Sequence, residues 1–239
     1  MQVSIFITCL VDLFYPSIGL SMVNVLRKMG LKLTFPADQT CCGQPAFNNG
    51  YIDESKRLAL RFISVFEKAD FIVAPSGSCV YMVKHHYPML FRDDPQILSR
   101  VRAVSSRLYE LSEFLVNVCK QTDLGAKFPG NVTYHESCHL LRGLGIKQEP
   151  RDLINSVAGA HLIEMNKSDQ CCGFGGAFYL KYPDISQAIV NEKTDNIIAS
   201  GADTVTGADA GCLMNISAAL RKKKSQIRVL HLAELLNGQ

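Results

Sequence analysis

The chain has 239 residues, 47% of them hydrophobic and 20% charged, with a formal net charge of +3. That balance suits a globular protein with a buried core; it excludes a disordered chain, and the charge is too small to argue for a nucleic-acid partner. No run approaches the roughly 18 uninterrupted apolar residues of a membrane span, and the amino-terminal MQVSIFITCLVDLF lacks the basic flank of a signal peptide.

In chain order the pattern alternates between strand and helix. A strand over 3–8 leads to a helix over 17–29, with Ile18, Met22, Val25, Leu26 and Met29 on one face. A strand over 31–35, a helix over 53–67, a strand over 71–74 and a helix starting near Ser78 follow. Apolar residues at 98, 101, 104, 108, 111, 115 and 118 have helical spacing, but LYELSEFLVN (108–117) lines up with LHLAELLNG (230–238). The latter, in IRVLHLAELL, reads as a strand followed by a short helix, so the earlier stretch divides near Arg107. The segment KQTDLGAKFPGN (120–131) has the Gly, Pro and Lys content of an exposed connection. Strands over 132–135, 161–164, 203–206 and 227–231 then repeat the first pattern, and the run RKKK at 221–224 suits the carboxyl end of a helix.

Strands separated by helices imply parallel sheets with right-handed crossovers. The expected fold class is α/β: two tandem Rossmann-like domains, 1–122 and 131–239, joined by 123–130 and related by pseudo-twofold symmetry. Each is a mostly parallel sheet flanked by helices.

The cysteines carry the repeat. Cys9, Cys41, Cys42 and Cys79 are separated by steps of 32, 1 and 37 residues; Cys138, Cys171, Cys172 and Cys212 by steps of 33, 1 and 40. Both adjacent pairs are followed by glycine, in CCGQPAF and CCGFGGAF. Each cysteine lies just after a strand or in the loop following one. The carboxyl ends of parallel strands share one edge, so all four thiols of each copy are expected to converge there. Chance core cysteines would not keep this register; the unpaired Cys119, after an apolar run, reads as core packing.

A soluble cytoplasmic protein is the expectation, and in a reducing compartment such thiols are ligands or catalysts rather than disulfides. A tetrahedral zinc site normally uses CxxC knuckles, and none occurs here. Adjacent side chains on extended backbone point apart, which suits a cluster whose neighbouring thiolates bind different irons. Zinc is the alternative occupant; dithiol chemistry by the adjacent pair leaves Cys9 and Cys79 unexplained. Gly43, Gly173, Gly175 and Gly176 are expected to let the backbone approach such a centre. His135 and His139, flanking Cys138, are candidates to hydrogen-bond a thiolate or move protons. His85 and His86 read as a helix end. No nucleotide fingerprint, catalytic triad or paired-carboxylate constellation stands out.

The doubled pattern of a cysteine, some 30 residues, CCG, 35 to 40 residues and a final cysteine resembles the cysteine-rich CCG-domain family. That family includes the CCG-bearing component of heterodisulfide reductase and the iron-sulfur subunits of glycolate and glycerol-3-phosphate oxidases. The stretches PSGSC, YHESCHLLRGLGI and GADAGCLMNI belong to the same resemblance, which covers the whole chain. It implies a component of an L-lactate oxidising system that works with two sister proteins, one of them rich in iron-sulfur clusters. Electrons would pass through one or two clusters of 4Fe-4S type, and peripheral membrane contact is left open. By motif, Cys9, Cys41, Cys42 and Cys79 would hold one centre and Cys138, Cys171, Cys172 and Cys212 the other. The fuller family motif ends in CxxC; here Met82 and Asn215 stand at the last position, so four thiols suit a four-iron cluster or a metal ion equally. The rival readings are a heterodisulfide-reductase-like thiol/disulfide subunit and a zinc-stabilised assembly subunit without redox function.

Overall fold

A computed structural model describes residues 1–238. The first half runs β1 (Gln2–Ile5), α1 (Cys9–Phe14), α2 (Pro16–Lys28), β2 (Lys32–Thr34), α3 (Gln44–Asn48), α4 (Ile52–Phe66), β3 (Phe71–Ala74), α5 (Gly77–Tyr81), α6 (Tyr87–Leu90), α7 (Pro95–Ser105), β4 (Leu108–Glu110) and α8 (Leu111–Glu113). The second continues with β5 (Lys127–His135), α9 (Glu149–Asn155), β6 (Ala158–Leu162), α10 (Ala177–Lys181), α11 (Pro183–Ala199), β7 (Thr204–Gly207), α12 (Ala210–Lys222), β8 (Arg228–His231) and α13 (Leu232–Asn237).

Two four-stranded sheets result, ordered β2-β1-β3-β4 and β6-β5-β7-β8. Every strand pairing is parallel, as the alternation of elements requires. Chain direction across each sheet reverses beside its first strand, β1 or β5. The crevice between β1 and β3, and its counterpart between β5 and β7, is therefore the place where such a sheet binds ligands. The break near Arg107 is present, with α7 ending at Ser105 and β4 beginning at Leu108.

Some elements differ from expectation, for local reasons. β1 stops at Ile5, although the apolar run continues, because the Gln39 side chain replaces a strand partner. Its Oε1 accepts the Ile7 amide (2.7 Å) and its Nε2 donates to the Ile5 carbonyl (3.2 Å). β5 begins at Lys127 and carries a bulge between Lys127 and Gly130, so part of the expected connection pairs with β6. His85 and His86 do not end a helix. The run continues from α5 through a π-turn at Met82–His86 into α6, where Tyr87 and Leu90 are buried.

The principal apolar core lies between the halves. Ile18, Met22, Val25 and Leu26 of α2 meet Leu232, Leu235 and Leu236 of α13 there, and Leu153 and Ile154 of α9 join them. Smaller clusters back each sheet: Phe6, Phe62, Phe66 and Ile72 in the first half, Val190, Ile197, Val205 and Ile216 in the second. Cys119 packs at the edge of the shared core. The RKKK run straddles the end of α12, with Lys223 paired to Asp195 at 2.6 Å.

Repeat-equivalent Glu110 and His231 both cap the short helix after the last strand of their half. Burial pushes Glu110 up to about 7 and His231 down to about 4. Between pH 6.5 and 4 the unfolded chain takes up a proton at His231 that the folded protein refuses, so stability is lost as pH falls through that window. Glu110 acts in the opposite sense from pH 7 down to 4.5. His231→Asn keeps a capping oxygen for the Ala233 amide. It is expected to gain on the order of 3 kcal/mol over wild type near pH 4 while matching it at pH 7. Urea unfolding of the metal-free protein at both pH values checks this; an offset independent of pH would refute it.

Candidate metal centres

Each half delivers its four thiols to the crevice by the same route. Cys9 opens α1 directly after β1, Cys41 and Cys42 lie in the loop after β2, and Cys79 sits in the first turn of α5 after β3. Cys138 follows β5, Cys171 and Cys172 follow β6, and Cys212 lies in the first turn of α12 after β7. Ser76 caps α5 by accepting the Cys79 amide (3.4 Å), and Asp209 caps α12 by accepting the Gly211 amide (3.3 Å). Cys42, Cys79, Cys172 and Cys212 are buried; Cys9, Cys41 and Cys138 are half-buried, and Cys171 is exposed.

The adjacent cysteines divide their contacts. Cys41 Sγ lies 3.5 Å from Cys9 Sγ, and Cys42 Sγ lies 3.3 Å from Cys79 Sγ. These separations are far beyond the roughly 2.05 Å of a disulfide. Cys41 and Cys42, adjacent in sequence, join these two close pairs, so the sulfurs run in the order Cys9, Cys41, Cys42, Cys79. In the second half the same neighbours act on one another, Cys138 and Cys172 on Cys171 and Cys212 on Cys172.

One sulfur in each chain collects the negative charge. Thiol hydrogen bonds from Cys42 and Cys9, with the Gly43 amide at 3.4 Å, lower the Cys41 pKa far below the thiol range. Cys138, Cys172 and the Gly173 amide (3.3 Å) do the same for Cys171. Cys9, Cys42, Cys138 and Cys172 are pushed up as donors to that thiolate and by burial. Gly43 and Gly173 reach these sulfurs from φ values of +84° and +77°. A Cβ at Gly173 would also stand 2.7 Å from the Ser186 carbonyl oxygen, so both conformation and space require glycine there.

Two further groups hold the adjacent pairs. The Tyr87 hydroxyl donates to the Cys42 carbonyl and the Asn215 amide donates to the Cys172 carbonyl, both at 2.8 Å. Asn215, at the position of the missing fifth cysteine, thus secures the loop, whereas its counterpart Met82 is buried in the core. Tyr87 gives no signal in the sequence, since only the π-turn brings it beneath Cys42.

The two chains of sulfur face one cavity of about 180 Å³, lined from both halves. Gly175, Gly176 and His139 also line it. His139 Nδ1 lies 4.0 Å from Cys138 Sγ, at the limit for a sulfur contact, and its ring packs 4.9 Å from that of Tyr81 across the seam. His135 is placed differently: it is 1% exposed, at the end of β5, and neither ring nitrogen has a hydrogen-bond partner. Among the described residues, His135, Cys172 and Cys212 are the one group of three potential ligands whose donor atoms all lie within 4.8 Å of one another. Soft sulfur donors and amides aimed at sulfur fit a thiolate-bound metal or cluster in each half, and the second half adds an unpartnered imidazole.

The cysteine-rich domain model named CCG matches residues 3–84 and again 132–217. The chain belongs to the CCG cysteine-rich domain family. The two matched segments enclose the two sulfur chains, so the family repeat and the structural repeat coincide. Among full-length relatives, lactate utilization protein A of Exiguobacterium sp. (strain ATCC BAA-1283 / AT1b) is 48% identical over 238 residues, covering 99% of this chain and 97% of that protein. Lactate utilization protein A of Geobacillus sp. (strain WCH70) is 46% identical with both chains fully covered. A hypothetical protein from Helicobacter pylori of known crystal structure superposes with a TM-score of 0.67 at 14% identity. It spans 98% of this CCG chain and 48% of its own, a likeness of fold alone.

Proposed function

We propose that this protein is an iron-sulfur electron-transfer subunit of a lactate-utilising system that oxidises L-lactate. The lactate assignment is supported by full-length relatives carrying that name. The observation that carries the redox reading is the gathering of two four-cysteine sets around one cavity, with the adjacent cysteines of the first half turned to different partners. Adjacent cysteines turned to different partners suit a centre of several irons, in which neighbouring thiolates can each take their own iron. A bound four-iron cluster would supply one-electron redox chemistry, with no proton or group transfer of its own.

The residues of this chain hold, shield and tune. The eight cysteines supply thiolate, the Gly43 and Gly173 amides hydrogen-bond to sulfur, and Tyr87 and Asn215 fix the adjacent pairs. Burial of Cys42, Cys79, Cys172 and Cys212 keeps water from half the ligands. The protein thus serves an oxidation completed with two sister subunits in the cytoplasm, and no helix among the described residues is long and apolar enough to cross a membrane. Anaerobic reconstitution followed by iron, sulfide and zinc analysis tests the reading. About four irons and four sulfides per half, with an EPR signal on reduction, is expected. Stoichiometric zinc with no retained iron would overturn it.

A further inference from the structure

The two sulfur chains are alike, but the walls behind them are not. In the repeat, Phe6 occupies the place of His135, three residues before the first cysteine of its set. The buried faces of the long helices also correspond: Ser55, Ala59, Phe62, Ile63 and Phe66 on α4 match Ser186, Val190, Lys193, Thr194 and Ile197 on α11. Phe62 therefore stands where Lys193 does. In the first half, Phe6 and Phe62 pack edge to face, 4.9 Å between centroids, as an apolar wall. In the second, that wall is an imidazole and an ammonium.

Both polar groups are fully buried. The Lys193 ammonium is held by the carbonyls of Lys167 (2.8 Å) and Ser168 (3.0 Å). His135 has no partner for either nitrogen, an uncompensated burial of polar atoms that the phenylalanine of the first half avoids. Its position beside Cys172 and Cys212 explains the nitrogen as a donor to whatever those sulfurs hold. Where His135 takes the place of one of the four thiolates at its metal, the centre is less negative than the all-thiolate centre of the first half and its potential is higher. A buried ammonium nearby stabilises the reduced state further.

We propose that His135 is a nitrogen ligand of the centre in the second half and that, with Lys193 behind it, it makes this the higher-potential of the two centres. The potential ordering rests on the iron-sulfur reading above; the ligation does not.

The test uses full-length protein, reconstituted anaerobically, as wild type, His135→Phe, His135→Asn and Lys193→Met. Wild type is expected to titrate in two reductive steps and to show an imidazole ¹⁴N coupling by pulsed EPR. His135→Phe, which installs the residue of the first half, is expected to lose that coupling and to move the upper step down towards an unmoved lower one. Lys193→Met should also lower the upper step while keeping the coupling. The lower step reports that each variant is folded, and His135→Asn covers the case in which the bulkier ring prevents loading. Absence of imidazole coupling in wild type with both centres filled, or a His135→Phe variant with both steps unmoved, would overturn the proposal. If the protein takes zinc instead of iron, the redox reading fails by metal analysis alone. X-ray absorption of the zinc-loaded protein then decides the ligation: nitrogen in the average shell, lost in His135→Phe, supports it, and an all-sulfur shell refutes it.

Discussion

Cys171→Ser is expected to remove the centre of the second half and leave that of the first, so that bound iron falls by about half. Cys171 is the sulfur whose pKa its neighbours Cys138 and Cys172 lower, and the Gly173 amide donates to it at 3.3 Å. A serine hydroxyl ionises far less readily and is a hard donor where soft metal chemistry selects sulfur. Cys41→Ser is the mirror experiment: the same arrangement of Cys9, Cys42 and Gly43 surrounds it, and iron should again fall by half. The retained half should differ between the variants, with the upper reductive step surviving in Cys41→Ser and the lower in Cys171→Ser. Loss of all iron in either variant would mean that the shared cavity holds one joint centre and would refute the two-centre reading.

The candidate centres were legible in the sequence because two independent periodicities agree. Strand and helix alternation fixes a common edge for the strand ends, and the cysteine spacing places eight thiols after strands. The repeat also resolved the apolar stretch around Arg107, whose helical spacing alone conceals β4, by comparison with LHLAELLNG. Features that depend on a side chain returning from elsewhere were not legible. Gln39 replacing a strand partner for Ile7 is one, and Tyr87 reaching the Cys42 carbonyl is another. Lys193 lies in the charged string NEKTDN and has the look of a solvated helix face, yet the register shared with α4 turns it fully inward. That register was available in the repeat, but its consequence appears only when Phe6 and Phe62 are seen to touch.

Contacts across the seam were the least legible, since they depend on how two similar halves face each other, and the largest stability effect is expected there. Ser76 and Asp209, each three residues before the last cysteine of its set, pair antiparallel across the pseudo-twofold relation, with the Gly77 amide donating to the Ala208 carbonyl (3.3 Å). The Asp209 carboxylate is 6% exposed. It accepts the Gly211 amide of its own helix, then reaches over the seam to accept the Ser78 amide (2.9 Å) and the Ser76 hydroxyl (3.3 Å). One anion thus caps the helices that carry Cys79 and Cys212. Asp209→Ala strands the buried Gly211 amide and the half-buried Ser78 amide and removes charge-assisted bonds worth about 1.5–3 kcal/mol each. A loss of about 3–5 kcal/mol in urea unfolding is expected, since partial rehydration recovers some of the sum. Ser76→Ala removes the smaller contributor and should cost only about 1 kcal/mol. Because both helix starts depend on the carboxylate, Asp209→Ala should weaken iron retention in both halves together, in contrast to the single-centre loss of Cys171→Ser. Iron lost from the second half alone, or a stability matching wild type, would show that Asp209 serves only its own helix.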